Sequence, residues 1–201
     1  MARTSTTNSG LSLYTCSHDL DGQRLRWLVA EKGVENLRLL QVEQGLQDKE
    51  LLALNPRHDL PTLVERNLVI SGFDIVAEYL DERYPYPSLM PSDPAGRAKL
   101  RMTIRVLRQD LELPLLETQS AKAVVAALQS LEDLLGKRKF MVGGTMTLVD
   151  VYLGPILWRL RSMGHSWPKS VPALREYAQR LGDRPAFRGS LTRRESAMGV
   201  V

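Results

Sequence analysis

The sequence predicts an α/β domain followed by an all-α domain. Strand-like and helix-like segments alternate over residues 11–84, a proline-rich stretch covers residues 85–94, and helical periodicity dominates residues 95–201. The 201 residues are enough for two small domains in one chain. With 43% apolar and 25% charged residues, the composition is that of a globular protein and excludes a mainly disordered or fibrous chain.

The first domain is predicted to follow the order β-α-β-α-β-β-α. Strands are predicted where apolar residues alternate or run together, and helices where they recur three or four positions apart. Gly33 and Asn55-Pro56 are stop signals for the first two helices, and Arg66-Asn67 suits a tight hairpin turn. The predicted strands are 11–14, 37–42, 62–65 and 68–70, and the predicted helices are 23–32, 49–54 and 74–83.

Four prolines within residues 85–94 predict a linker between the two domains. Proline disfavours helical geometry in the residue before it, so the strings Tyr84-Pro-Tyr-Pro87 and Met90-Pro-Ser-Asp-Pro94 interrupt any helix. Residues 1–10 are rich in Thr and Ser and lack the apolar segment of a signal peptide. We expect them to form a flexible leader.

The second domain is predicted to be helical over residues 95–201. One long helix carries an apolar face, and Pro114 is expected to kink or end it. A capping-box pattern, with Thr147 as N-cap and Asp150 three residues later, precedes the very apolar segment 151–160, the expected central buried helix. Further helices are predicted at 124–135 and 171–181. The apolar face of the long helix consists of Leu100, Ile104, Leu107, Leu111 and Leu115.

The net charge of +4 is unevenly distributed along the chain. Residues 41–94 contain 10 acidic and 4 basic residues, whereas residues 159–201 contain 9 basic and 3 acidic residues. This dipolar arrangement argues against a uniformly basic nucleic-acid-binding protein. The single cysteine, Cys16, excludes a disulfide framework within the chain, and three scattered histidines form no metal-binding motif. Without a signal peptide or a run of about 18 apolar residues, the expected location is the cytoplasm.

Three short sequence motifs resemble those of one known protein superfamily. Asn55-Pro56 followed by Leu60-Pro-Thr-Leu63 resembles that superfamily's turn before the third strand, in which the proline, here Pro61, is cis. The segment Thr147–Asp150 resembles its helical capping box, and Arg184-Pro-Ala-Phe187 resembles its carboxy-terminal turn. The resemblance implies a glutathione-transferase fold, in which the α/β domain is thioredoxin-like and spans residues 11–84.

Five further segments match one branch of this superfamily better than the others. They are Ala30–Gly33, Tyr79–Pro85, Leu89–Pro91, Ile156–Leu160 and Ser190–Thr192. By these segments the chain resembles the stringent starvation protein A family, which comprises bacterial, RNA-polymerase-associated regulators with the transferase fold. This resemblance implies a non-enzymatic regulator that binds RNA polymerase holoenzyme with its sigma factor and alters promoter use under starvation or stress. It also implies a homodimer, or a heterodimer with a paralogue, without a cofactor and without direct sequence-specific nucleic-acid binding.

The side chains that an enzyme of the superfamily needs do not match in this chain. The Glu/Gln-Ser pair that holds the γ-glutamyl end of glutathione falls on Gly72-Phe73, and the catalytic serine falls on Gly22. We therefore predict no catalytic residue. Two alternatives remain open. One is a glutathione-dependent transferase or reductase that uses Tyr14 or Cys16, and the other is a dimerisation module for a different partner, such as a proteolysis adaptor.

The resemblance also indicates a partner-binding surface. The family carries a proline-His-proline motif for its transcription partner, which here matches Pro85, Tyr86 and Pro87, with tyrosine in place of histidine. Paired prolines hold a rigid turn that presents an aromatic ring at low ordering cost. Separately, four arginines form a stripe that is either a solvated helix face or an anion or dimer cleft, suited to the guanosine tetraphosphate that some family assemblies bind. These are Arg97, Arg101, Arg105 and Arg108.

Overall fold

A computed structural model places an α/β domain before an all-α domain, as predicted. It describes residues 10–17, 19–42, 49–118 and 121–198, so the predicted leader lies almost entirely outside the described residues. The chain divides into two units, Met1–Tyr84 and Pro85–Val201. Pro94, the last residue of the predicted linker, is the first residue of a helix. Among the described residues, no helix is long and apolar enough to cross a membrane.

The first unit is thioredoxin-like and follows the predicted element order. Its sheet has the strand order β2-β1-β3-β4, with β1 parallel to β2 and antiparallel to β3. Helix α1 begins three residues before the predicted start, because the Asp19 carboxylate caps it by accepting a hydrogen bond from the Gly22 amide. The elements are β1 Leu11–Cys16, α1 Leu20–Glu31, β2 Leu37–Val42, α2 Lys49–Leu54, β3 Thr62–Glu65, β4 Leu68–Ser71 and α3 Phe73–Arg83.

The second unit is built around one buried helix. Every residue of α6 is buried, and the helix starts at Leu148, directly after the predicted N-cap Thr147. Two helices at the carboxy terminus, α8 and α9, were not predicted. The helices are α4 Pro94–Leu107, α5 Ala121–Leu135, α6 Leu148–Arg159, α7 Pro172–Gly182, α8 Pro185–Ser190 and α9 Arg193–Met198, with two π-helical segments at Arg108–Glu112 and Pro114–Thr118.

Asp150 fixes the start of α6. Its carboxylate accepts hydrogen bonds from the amide of Thr147 at 2.7 Å, the amide of Met141 at 2.9 Å and the hydroxyl of Tyr177 at 2.6 Å. Burial, and then the neighbouring Asp150 carboxylate, raises the pKa of Tyr177 well above its ordinary value of 10.0. The tyrosine therefore stays protonated and keeps donating to Asp150 at physiological pH.

The prediction that Pro114 kinks or ends the first long helix needs a correction. The α-helix ends at Leu107, seven residues earlier, and π-helical geometry replaces it over Arg108–Glu112. Both ends of this π-helical segment bind one side chain of α6: Arg108 Nε lies 3.3 Å from the Tyr152 hydroxyl, and that hydroxyl donates to the Glu112 carboxylate. A tertiary contact of this kind cannot be recognised from the local sequence, whereas a proline can.

Candidate functional site

The Pro61 turn lies beside the start of α3. The Leu60–Pro61 peptide bond is cis. Asn55 holds the turn from the inside, because its side-chain amide donates to the Asp59 carbonyl at 3.2 Å and to the Thr62 hydroxyl at 3.0 Å. The Pro61 carbonyl accepts a hydrogen bond from the Gly72 amide at 3.0 Å. The turn and the first residues of α3 therefore form one local site.

The two positions that match the glutathione-holding pair are Gly72 and Phe73. Gly72 has φ +90°, a conformation that favours glycine, and it is the N-cap of α3 without a side-chain capping bond. Phe73 is buried, and the Arg24 guanidinium lies 5.6 Å from its ring centroid. Arg24 is itself fully buried and forms an ion pair with Asp21 at 2.5 Å. A glycine and a buried aromatic ring thus occupy the two positions at which the resemblance led us to expect polar side chains.

Gly22, the position that matches the catalytic serine, has no space for a side chain. A Cβ atom at Gly22 would lie 2.7 Å from the Cys16 carbonyl oxygen and 2.6 Å from an oxygen of Asp19. Arg26 binds the end of β1 next to Gly22, because it donates to the Thr15 hydroxyl and to the Cys16 carbonyl, each at 3.2 Å. The first turn of α1 therefore packs directly on the end of β1.

The alternative nucleophiles, Tyr14 and Cys16, are both buried. Tyr14 is 1% exposed and belongs to an apolar cluster with Val42, Leu51 and Val64. Cys16 is 3% exposed at the end of β1. His18, which follows Cys16 by two positions in the sequence, lies outside the described residues. The part of the chain that the structure describes contains no group of His, Cys, Asp and Glu suited to a metal ion.

Tyr86 stands out on the surface, since 86% of it is exposed. Pro85 and Pro87 are exposed as well, and the Tyr86–Pro87 peptide bond is cis. In the first unit, the Tyr84 carbonyl accepts a hydrogen bond from Lys32 Nζ at 2.8 Å. In the second unit, the Leu89 carbonyl accepts from the Leu148 amide at 3.0 Å. The backbone is thus held two residues before and three residues after the exposed ring.

The four arginines of the predicted stripe separate into two pairs. Arg97 donates to the Pro91 carbonyl at 3.0 Å, and Arg108 lies against the Tyr152 ring and hydroxyl, so both side chains are half-buried. Arg101 and Arg105 are exposed. The stripe is therefore uneven in exposure, because the outer two side chains lie against groups of their own unit, and its role as an anion or dimer cleft stays a prediction.

Sequence reasoning missed an apolar groove of about 650 Å³ between α4, the π-helical segments and α5. Met102 and Val106 line it and are 61% and 46% exposed. A signal was available, because these residues are apolar but lie outside the periodic face that predicts the core. Leu107, Leu131 and Leu134 also line the groove.

The two units match two known domain families. Residues 22–83 match the family described as Glutathione S-transferase, N-terminal domain, and residues 95–180 match Glutathione S-transferase, C-terminal domain. Among solved structures, a Tau class glutathione S-transferase from mango, Mangifera indica, is similar with a TM-score of 0.81 at 26% identity. The similarity covers 94% of this chain and 95% of the mango chain. The fold is therefore that of the glutathione transferases.

Two bacterial relatives show to which family within this fold the chain belongs. A protein named Stringent starvation protein A homolog from Haemophilus influenzae is 33% identical over 199 residues, which cover 93% of this chain and 92% of the relative. A protein of the same name from Coxiella burnetii is 30% identical over 201 residues, which cover 95% and 96% of the two chains. The similarity extends over nearly the whole of each relative, so the chain belongs to the stringent starvation protein A family.

Proposed function

We propose that this protein is a non-enzymatic transcription regulator that binds RNA polymerase holoenzyme and alters promoter use under starvation or stress. The observation that carries the proposal is Tyr86, an exposed ring between two prolines at the position of the family's partner-binding motif. The sigma factor is the expected contact within the holoenzyme. Pro85, Tyr86 and Pro87 form the expected binding surface.

Physical chemistry supports a contact role for this ring. An aromatic side chain that is 86% exposed gains little from its own fold, but it buries a large apolar area when a partner covers it. Within the second unit, the Leu148 amide binds the Leu89 carbonyl three residues after the ring, and the two flanking prolines restrict the backbone, so less conformational freedom is lost on binding. The hydroxyl supplies one hydrogen bond. It does not supply the charge that histidine gains when protonated.

Tyr86→Ala is expected to weaken binding to polymerase holoenzyme about 30-fold, the effect of losing a hot-spot contact of about 2 kcal/mol. The measurement is biolayer interferometry with immobilised protein and purified holoenzyme. Ile75→Ala is the control, because Ile75 is an apolar residue that is 61% exposed and lies outside the proposed binding surface, in the first unit. If both variants bind like the unmodified protein, or if core enzyme without sigma binds equally well, the proposed surface is wrong.

The local geometry also supports a protein without glutathione chemistry. A γ-glutamyl group needs polar partners, and Gly72 and Phe73 supply no hydrogen-bonding side chain there. Arg24, the nearest described cation to the Phe73 ring, is buried and paired with Asp21. A thiolate-stabilising hydroxyl has no place at Gly22, and Tyr14 and Cys16 are buried. Enzymes share this fold, so the argument rests on these residues and not on the fold.

The partner of the apolar groove is proposed to be a second copy of the chain, which makes the regulator a homodimer. Met102 and Val106 leave an apolar surface on α4, with Arg101 and Arg105 beside it and Asp110 on the groove wall. The basic residues precede the acidic one along the chain. An antiparallel pairing about a two-fold axis therefore sets the arginines of one copy opposite Asp110 of the other.

Val106→Glu is expected to raise the dimer dissociation constant by about tenfold or more, because it places a carboxylate in an apolar contact. Sedimentation velocity should show this as a shift of the apparent mass toward that of the 22.6 kDa monomer. Ile75→Glu, which changes an equally apolar exposed residue of the first unit, should leave the mass unchanged. A monomeric unmodified protein, or a variant that dimerises normally, would contradict the proposed interface.

A further inference from the structure

The groove proposed to hold a second copy of the chain is bordered by the first π-helical segment, Arg108–Glu112. The Leu113 amide donates to the Arg108 carbonyl, five residues earlier, where an α-helical bond would reach back four residues. A π-helical turn holds more residues than an α-helical turn, so its side chains leave the helix in different directions. Such turns occur frequently at functional sites. The residues of this segment that line the groove are Gln109, Asp110 and Leu111.

One side chain of α6 holds both ends of this segment. The Tyr152 hydroxyl accepts a hydrogen bond from Arg108 Nε at 3.3 Å and donates to the Glu112 carboxylate. The Arg108 guanidinium carbon also lies 5.8 Å from the Tyr152 ring centroid. Tyr152 and Glu112 are both buried, so water does not readily replace the bond between them. The hydroxyl therefore links the first and last residues of the π-helical turn to the buried helix of the unit.

Asp110 lies between these two anchored residues in the chain, and it is exposed on the groove wall. Within the part of the chain that the structure describes, Asp110 has no hydrogen-bond or ion-pair partner, and the same holds for the exposed side chain of Arg105. Both charges can therefore bind groups of a second copy. Because the attraction between two charges falls with their separation, the direction in which Asp110 leaves the helix affects the strength of that contact.

We propose that Tyr152 is a positioning residue for the pairing of two copies, because it holds the π-helical turn that sets the Asp110 carboxylate opposite the arginines of the second copy. This role rests on the proposed homodimer through the apolar groove. Tyr152 is fully buried in its own unit, so it does not contact the second copy itself. Its effect on dimerisation passes through Asp110, and a double-mutant cycle measures such coupling.

The test compares the dimer dissociation constants of Tyr152→Phe, Asp110→Asn and the double variant by sedimentation velocity. Tyr152→Phe keeps the ring and removes only the hydroxyl. Each single variant should raise the dissociation constant about fivefold, since a two-fold interface contains the charge contact twice. The double variant should also be about fivefold weaker, and not the roughly 25-fold expected of independent effects. Added salt should weaken the unmodified dimer more than any variant, because salt screens the Asp110 contact.

Tyr177→Phe is the matched control, since Tyr177 is a fully buried tyrosine of the same unit that donates to Asp150 and does not line the groove. It should lower stability but leave the dimer dissociation constant within about twofold of the unmodified protein. Hydrogen exchange is a second measurement, in which the Leu113 amide should exchange faster in Tyr152→Phe and not in Tyr177→Phe. Glu112→Gln changes the other end of the same link and replaces Tyr152→Phe if that variant does not fold.

Different outcomes separate this role from the homodimer on which it rests. If the unmodified protein dimerises and Tyr152→Phe dimerises equally well, only the positioning role is wrong. Equal weakening by Tyr152→Phe and Tyr177→Phe would indicate a general loss of stability, and a roughly 25-fold loss in the double variant would show that Tyr152 does not act through Asp110. Either result overturns the positioning role. A monomeric unmodified protein contradicts the homodimer itself and this role with it.

Discussion

Asp81→Asn is expected to lower the free energy of unfolding of the first unit by about 3–5 kcal/mol, the usual cost of removing one partner from a buried ion pair. Asp81 is 4% exposed and binds the ammonium group of Lys32, whose side chain is fully buried. The neutral amide removes the negative charge that offsets this ammonium inside the unit. A buried cation that loses its counter-charge is costly, because water cannot replace the lost interaction.

Urea unfolding followed by circular dichroism measures this loss. Glu82→Gln is the matched control, since Glu82 is an exposed carboxylate on the same helix and should change stability by no more than about 0.5 kcal/mol. The double variant Lys32→Met, Asp81→Leu should recover most of the stability, because it removes both buried charges. An Asp81→Asn variant as stable as Glu82→Gln would show that this pair contributes little.

This ion pair also bears on the proposed binding surface. Lys32 Nζ donates to the Tyr84 carbonyl at 2.8 Å, two residues before Tyr86. The same ammonium therefore contributes to the stability of the first unit and holds the backbone next to the exposed ring. Because Asp81→Asn is expected to destabilise the first unit, unfolding alone could reduce polymerase binding. Binding by this variant should therefore be measured at a temperature where it is fully folded.

Gly22→Ser, which adds the hydroxyl that the enzymes carry, is expected to destabilise the protein by about 1–3 kcal/mol without creating glutathione activity. The new Cβ would meet the Cys16 carbonyl oxygen at 2.7 Å, and that oxygen belongs to the backbone of the sheet. The start of α1 must move to relieve the overlap. Glutathione would still lack polar side chains at Gly72 and Phe73.

Two measurements check this prediction. Chemical unfolding should show a similar loss for Gly22→Ala, which has the same Cβ, and little loss for Gly189→Ser, where an added Cβ meets nothing within 4 Å. Calorimetry with millimolar glutathione, together with a standard conjugation assay, should give no binding and no turnover for the unmodified protein or Gly22→Ser. Turnover by the unmodified protein would favour the transferase alternative and contradict the proposed non-enzymatic function, whereas turnover by Gly22→Ser alone would contradict only the expectation that the added hydroxyl creates no activity.

Most of the helices and strands could be predicted from short sequence patterns. The bounds of β2 and α2 were predicted without error, because apolar patterning and the Asn55-Pro56 stop act over a few residues. The early start of α1 at Leu20 was missed, although Asp19 is a common N-cap residue. Helices α8 and α9 were missed because each has only six residues and neither contains the leucines that mark the equally short α2.

The candidate site depends more strongly on tertiary structure. The absence of polar side chains at Gly22, Gly72 and Phe73 follows from residue identity, so sequence alone predicted a site without the enzyme's groups. It did not predict that Arg24 lies against the Phe73 ring, because the two residues are 49 positions apart. It also grouped four arginines by spacing alone, whereas Arg108 binds Tyr152, 44 residues later in the chain.

The sequence by itself determined the two-domain order and the family, since each is a matter of local pattern or residue identity. Only the tertiary structure decided which side chains are accessible and which distant residues lie close together. It exposes Tyr86, buries Tyr14 and Cys16, and brings Lys139 and Arg180 to one pocket. These outcomes depend on contacts between distant parts of the chain, and hydrophobic burial is decided by the whole packed core rather than by neighbours in sequence.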